Sequence, residues 1–434
     1  MASTGSEGRP GHEMHAFIER LYPICRSITG DGVRRTLSAI SERLPLDVVE
    51  VPTGTPAFDW EVPREWNIRD AWIADDTGRR VVDFRQSNLH VVGYSVPVNR
   101  KMSLEELRPH LHTLPDRPDV TPFRTSYFDE SWGFCLPDSR LRELPDGEYE
   151  VVIDSSLSEG HLTYGEVVLD GESEEEFLVS THVCHPSLGN DNLSGIAVAT
   201  WLAGALSQLR RRRFTYRFLF VPGLIGPIVW LSRNEERVGR IRHGLVLACI
   251  GDPGHPTYKR TRRGNAEIDR AVAHVLRDSG QEYRVREFTP FGYDERQYNS
   301  PGFDLPVGLL MRSPHGEYPE YHTSADDLSV VRPESLADSL AKLLSIVDVL
   351  EHDRRYVNLS PKGEPQLGRR GLYRTIGGGG FRDLEPALLW VLNLSDGKSS
   401  LLDVAERSGL PFGAVREAAL ALSDVGLLIE TTDR

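Results

Sequence analysis

Apolar positions recur at helical spacing through residues 13–44, first at Phe17, Ile18 and Leu21, then at Val33, Leu37, Ile40 and Leu44. The turn Thr29-Gly30-Asp31-Gly32 divides them, so two helices are expected to open the fold. From Leu46 to Gly165 the pattern changes to short runs such as LDVVEV, RRVVDF, LHVVGYSV and YEVVIDSSL, parted by Pro, Gly and Asp clusters and one short helix over 104–111. Residues 47–165 read as a β-rich module inserted in a main domain of residues 13–46 and 166–353. Within that domain FLVST, YRFLFV and LVLACI alternate with helical stretches 192–209, 227–237 and 264–279. Such alternation predicts an α/β fold, a mostly parallel or mixed sheet sandwiched by helices, with its site at the carboxyl ends of strands.

After Asn358 comes a loop rich in Gly, Pro and Arg, in which Gly377 to Gly380 cannot belong to a stable helix. Residues 383–434 then read as three helices and a strand, and residues 366–434 as a winged-helix-like C-terminal domain. A module of that shape invites a DNA-binding reading. However, 383–434 holds nine acidic residues against four basic ones, and the would-be recognition helix, 411–424, sets only Arg416 against Glu417 and Asp424. Neutralising phosphates needs a basic face. Packing or homo-oligomerisation is the expected role.

The whole chain points the same way: over 434 residues the formal charge is −14, which disfavours a nucleic-acid partner. No stretch approaches the roughly 18–20 apolar residues of a membrane span. The first dozen residues lack the features of a secretory signal and read as a mobile tail, so a cytoplasmic protein is expected. Cys25, Cys135, Cys184 and Cys249 lie far apart without paired spacing, which suits reduced core residues rather than a zinc ribbon.

The chemistry-bearing residues stand where an α/β sheet would expose them. The strand-like FLVST runs directly into His182 and His185, a turn, then Asp191 at the mouth of a long helix. Asp252 follows the apolar run LVLACIG, and His322 lies in the polar loop PEYHTSADD after the strand-like LPVGLLM. Singly, each has a plain structural reading: a core histidine, a turn-capping aspartate. In order, His182, His185, Asp191, Asp252 and His322 form a donor set suited to Zn²⁺, and imply a metal-dependent hydrolase. Cys184, between two histidines, is expected to pack beside the metal rather than ligate it.

The phrases EWNIRDAWI, SNLHVVGYS, WGFCL, CHPSLGNDNLSG, DERQY and GEYPEYHTSAD cover nearly the whole chain. Together they resemble the aminopeptidase-like branch of the zinc aminopeptidases of peptidase clan MH, often encoded near polysaccharide or secondary-metabolite genes. The resemblance implies a zinc exopeptidase-like fold with a β-rich insert and a winged-helix tail, holding one or two Zn²⁺ ions. It also implies roles: His182 or His185 as first ligand, Asp191 as the carboxylate bridging two metals, and Asp252 and His322 as terminal ligands. The implied substrate is a small peptide or biosynthetic aminoacyl conjugate, cleaved at an amide bond.

One departure from that pattern matters. Where the family carries two adjacent glutamates, one of them the general base, FLFVPGLIGP offers Gly223 and Leu224. Losing a positioned base removes roughly 10²–10⁴-fold in rate, so a replacement is needed. Glu295 in the DERQY turn is the first choice, flanked by Asp294, Arg296 and Tyr321 as substrate-binding residues; Glu317 and Glu320 come next. Glu235 and Glu236 read as a solvated helix end, as do Arg210 to Arg213. Trp60, Trp66, Tyr127, Phe128, Trp132 and Phe134 read mostly as the core of the β-rich module. Two alternatives stay open: a metal-binding protein with lost or altered peptidase activity, and a regulator that uses its winged-helix-like tail.

Overall fold

The computed structural model describes residues 9–372 and 384–431; the glycine run 377–380 lies outside them. The chain divides into two compact units, one of residues up to 269 with 282–343, the other of 270–281 with 344 onward. In the first unit, eight strands form one sheet: β1 (Asp47–Pro52), β2 (His161–Leu169), β3 (Glu176–His182), β4 (Thr215–Val221), β5 (Ile241–Leu247), β6 (Thr257–Lys259), β7 (Arg284–Arg286) and β8 (Val307–Met311). Their spatial order is β1-β2-β4-β3-β5-β8-β6-β7. The central β4, β3, β5 and β8 are parallel, whereas β1, β2 and β6 join antiparallel to their inner neighbours. A mixed sheet whose parallel middle is buried on both faces explains the continuous apolar runs of its central strands.

Helices α1 (Arg9–Leu21), α2 (Asp31–Ser41), α3 (Gly195–Ser207) and α4 (Ile225–Arg233) follow the expected pattern, and α5 (Glu267–Asp278) and α6 (Pro333–His352) complete it. Three expectations need correction. Residues 9–12, read as tail, belong to α1. The helix expected from 192 begins at Gly195, after an irregular turn over Gly189–Ser194. LHVVGYSV is a short 3₁₀ turn followed by isolated bridges, because Ser87 caps Leu89 and Tyr94 takes a φ of +68° that no strand allows.

The expected insert is also shorter than 47–165. Residues 47–52 and 161–169 extend the main sheet, and the second sheet is built between them from 80–83, 65–74, 148–158 and 98–103, in that spatial order. Its longest partner strands, Glu65–Ala74 and Glu148–Ser158, pair antiparallel around a register shift between Ile68 and Asp70. That bulge breaks the polar-apolar alternation within EWNIRDAWIA.

Charge inside the main sheet is tightly paired. On β4, Arg217 is 3% exposed, and its Nε meets Glu176 of β3 at 2.7 Å while Nη1 meets Glu166 of β2 at 2.5 Å. Trp230 Nε1 donates to the same Glu166 at 3.1 Å.

The second unit, among its described residues, contains helices Leu384–Leu394, Leu401–Ser408 and Phe412–Asp424 with a three-stranded sheet of 396–400, 355–358 and 428–430. Ser400 and Asp403 form a reciprocal capping box at the second helix, and Gly409 ends it at φ +72°. Arg416, the one base on the would-be recognition helix, pairs with Asp348 at 3.1 Å.

His243 of β5 is 1% exposed among Phe177 and Phe214, and burial depresses its pKa from 6.5 to about 3. The folded state therefore binds its proton later than the unfolded chain on acidification. Its contribution is complete above about pH 6.5 and is lost as pH falls toward 3. We expect His243→Phe to lose less stability than the parent between about pH 7.5 and 5 in urea unfolding, by about 2 kcal/mol. Equal losses in both proteins would refute the assignment.

Candidate metal centre

The four parallel strands deliver the site from their carboxyl ends. β3 ends on His182; Gly223 lies two residues beyond β4, Cys249 two beyond β5, and His315 in the loop after β8. Asp191 sits in the irregular turn before α3 with no exposed surface, and both of its oxygens face imidazoles. Oδ1 is 2.9 Å from His182 Nε2, and Oδ2 is 2.9 Å from His322 Nε2 and 3.7 Å from His185 Nε2. Burial alone would raise this carboxyl. The surrounding imidazoles outweigh it and hold Asp191 well below the usual carboxylate range.

The turn carrying Asp191 is fixed by two other aspartates. Asp326 accepts hydrogen bonds from the backbone N–H of Asn190 at 2.6 Å and of Asp191 at 3.0 Å, and burial pushes its pKa up to about 7. Asp252 accepts from Asn190 Nδ2 at 2.9 Å, from Gly254 N at 2.7 Å, and from Ser313 Oγ and N at 2.6 and 3.1 Å. With both oxygens so engaged, Asp252, expected as a terminal ligand, stands outside the convergent donor groups among the described residues. It holds the Asn190 side chain, one residue before the buried carboxylate.

His185 is placed from behind. The buried Arg26 guanidinium donates to the carbonyls of His185 and Pro186 at 2.6 and 2.7 Å, which fixes the Cys-His-Pro turn. On the open side, Phe123 contributes a ring 5.1 Å from His185 and 5.2 Å from His322, and its N–H donates to the His322 carbonyl. Tyr321 stacks on His322 at 3.9 Å. Leu224, Cys249 and His322 all take positive φ, +65°, +47° and +53°. Non-glycine residues held in that region cluster where surrounding structure imposes a conformation, commonly at functional sites.

Gly223 and Leu224 stand where a base was sought, and the structure gives the space to another side chain. A Cβ on Gly223 would lie 2.2 Å from Tyr293 Oη. The Tyr293 ring lies over His182 at 4.0 Å and its hydroxyl is 3.4 Å from Cys184 Sγ, so Cys184 packs beside the histidines as expected. Burial raises the phenol well above its ordinary pKa, which makes it a hydrogen-bond donor and not a base.

Glu295 does not face this cluster as a free carboxylate. It is fully buried in an ion pair with Lys259 and accepts the Tyr293 N–H at 3.0 Å. It holds the Tyr293 backbone, and the free carboxylate expected of a general base is not what stands at this position. Its neighbour Asp294 accepts from Leu224 N at 2.7 Å, while its Oδ2 is buried without a partner and burial pushes its pKa up to about 8. The Nε of Arg296 is likewise buried and unpartnered. Of the other acids, Glu317 pairs with Arg286 and Glu235 and Glu236 are exposed.

Sequence reasoning did not place His315 or Phe123 at the site, read Cys249 as core, and met Tyr293 and Asp326 only as neighbours of Asp294 and His322 in their motifs. Only His315 carried a readable signal, a second histidine seven residues before His322 in the same polar loop. The donors present suit a borderline cation. Imidazole nitrogens, one carboxylate and, on the Cys249 side, a thiol are the set that favours Zn²⁺ over Mg²⁺ or Ca²⁺.

Comparison with known proteins places the chain in a family and gives relatives of the same fold. Residues 15–353 match the family described as "Domain of unknown function (DUF4910)", and residues 354–430 match a winged helix-turn-helix family. A protein of Clostridium acetobutylicum, named for an aminopeptidase-like domain and provisionally for polysaccharide biosynthesis, is 53% identical, with 96% of each chain covered. A crystal structure from the same organism, of a protein provisionally named a peptidase, superposes with a TM-score of 0.94 at 51% identity, covering 98% of this chain and 97% of that one. A zinc aminopeptidase from Bacillus subtilis shares the fold at a TM-score of 0.56 and 13% identity, over 78% of this chain and 94% of that one.

The Glu295–Lys259 pair is testable on stability alone. Glu295→Gln strands a buried ammonium and is expected to cost about 3–5 kcal/mol in urea unfolding, with Glu295→Met/Lys259→Met recovering most of it. A Glu295→Gln variant of undiminished stability but abolished turnover would return the base role to this residue.

Proposed function

The chain belongs to the DUF4910 family, and from that premise we propose that it is a zinc-dependent hydrolase of the aminopeptidase type. Its substrate is a small peptide or a biosynthetic aminoacyl conjugate, cleaved at an amide bond. One observation carries the reading: three imidazoles from two separate stretches of chain converge on the buried carboxylate of Asp191 at the ends of parallel strands. Three imidazoles and one carboxylate gathered at a buried point are a donor set that a zinc-class cation would suit.

On this reading His182, His185, Asp191 and His322 hold the ion, and Asp326 and Asp252 keep Asp191 in place. The bound cation would polarise the scissile carbonyl and lower the pKa of a water molecule. The chain's own groups do the remaining work. Tyr293, kept protonated by burial, donates a hydrogen bond where negative charge develops. Asp294 offers its unpartnered oxygen to a substrate donor and, with a pKa near 8, holds or releases a proton close to neutrality. Tyr321 and Phe123 form the apolar wall beside His322, and Arg296, next to Asp294 in sequence, keeps a buried Nε without a partner. The four cysteines are unpaired, which supports a reducing, cytoplasmic setting. No helix among the described residues is long and apolar enough to cross a membrane.

A second reading has its own observation. Tyr293 occupies the room a Gly223 side chain would need, so the site lacks a carboxylate at that place and is compatible with a chain that binds metal and no longer cleaves peptides. Elemental analysis and a panel of aminoacyl p-nitroanilides separate the two. We expect bound zinc, turnover abolished by chelation, and loss of both metal and turnover in Asp191→Asn and His322→Ala. Tyr293→Phe is expected to keep its zinc while kcat falls about 10²-fold. Zinc without turnover on any member of the panel selects the second reading; absence of any bound divalent metal removes both.

A further inference from the structure

We infer that this chain holds a second metal pocket that shares Asp191 with the first, made by Asp191, Cys249 and His315, in which a cysteine thiolate is a ligand. The inference rests on the metal-binding reading above and adds to it the composition of a second site.

The donor atoms of these three residues all lie within 4.8 Å of one another, as do those of His182, His185 and Asp191. The two groups share only Asp191. A carboxylate has two oxygens, and one that serves two clusters is placed to offset the repulsion between cations about 3.5–4 Å apart. Neither Cys249 nor His315 is engaged by protein in a way that would withdraw it. His315 Nε2 is buried with no hydrogen-bond partner among the described residues. Its ring is set by a stacked Tyr293 at 5.8 Å and an edge-on Tyr321 at 6.0 Å, so it is oriented without its nitrogen being satisfied. A buried imidazole nitrogen left empty calls for an occupant.

Cys249 has no exposed surface, and its Sγ has Tyr318 Oη at 3.7 Å as its polar neighbour, a weak contact for a thiol. Its backbone is held at φ +47° between two anchored ends, with its N–H on Asn192 Oδ1 and its carbonyl on Arg312 N. The side chain therefore leaves the end of β5 in a direction an ordinary strand continuation would not give. Cys184 differs: its sulfur accepts from Gly223 N at 3.2 Å and contacts the Tyr293 hydroxyl, which accounts for it as packing.

The charge balance fits. When the Cys249 sulfur–metal bond forms, the thiol proton leaves to solvent, and one thiolate with a share of one carboxylate offsets most of a divalent charge. Thiolate, imidazole and carboxylate together select zinc-class ions and exclude the hard cations that all-oxygen pockets prefer.

The experiment uses the full chain, stripped of metal and titrated with Co²⁺, which reports thiolate ligation as an intense near-ultraviolet charge-transfer band. We expect about two ions per chain, as in a paired site, with the band appearing as the second pocket fills. Cys249→Ser should abolish the band and lower the content to about one, and Cys184→Ser should keep both. His315→Ala, at a partly exposed loop position, gives the same loss of the second ion should Cys249→Ser fail to fold. A band that survives Cys249→Ser or follows Cys184, or a wild-type content of one ion with no band, overturns the inference and leaves the first site standing. A chain that binds no Co²⁺ at all fails at the earlier step.

Discussion

A carboxylate removed from water must find positive charge or hydrogen bonds nearby, and the architecture of the first unit serves that requirement at Asp191. The residue has no solvent contact, yet its pKa is held below the ordinary range because imidazoles outweigh the cost of burial. Around it the structure is layered. Histidines touch the carboxylate, Asp326 and Asp252 fix the turn that carries it, and Arg26 fixes the turn that carries His185. Each outer group is itself nearly saturated. The geometry at the centre is thus inherited from hydrogen bonds that need no metal to form.

The parallel middle of the sheet explains why such a cluster can be assembled from residues 182 to 322. Strands that run the same way end on the same side, so side chains far apart in sequence arrive together at one edge. The antiparallel flanks, β1 with β2 on one side and β6 on the other, extend the sheet without contributing to that edge. Charge elsewhere in the sheet is matched locally, as with Arg217 between Glu176 and Glu166, which keeps structural ion pairs distinct from the unsatisfied groups of the site.

Much of this was legible before any coordinates. Helical spacing located α1 and α2, strand-helix alternation located the central sheet, and His182, Asp191 and His322, singled out for their places in the sequence, meet at one point. What failed did so for identifiable reasons. A bulge concealed the strand Glu65–Ala74, and a positive φ at Tyr94 broke an apparent one. For Asp252, position after a strand does not tell where the oxygens turn, and four donors hold them. For Glu295, the partner Lys259 lies 36 positions away in sequence and nothing local announces the pair. Cys249 reads from the sequence as a reduced core residue, because a buried cysteine is most often inert packing.

Gly223 and Tyr293 are two halves of one structural choice. Because the phenol stands where a side chain on residue 223 would begin, an acidic residue cannot return to that position by a single substitution, and shrinking the tyrosine alone would open a void beside His182. Residues 223 and 293 are therefore coupled: a larger side chain at the first requires a smaller one at the second, and a double substitution is the route by which this corner of the site could be rebuilt.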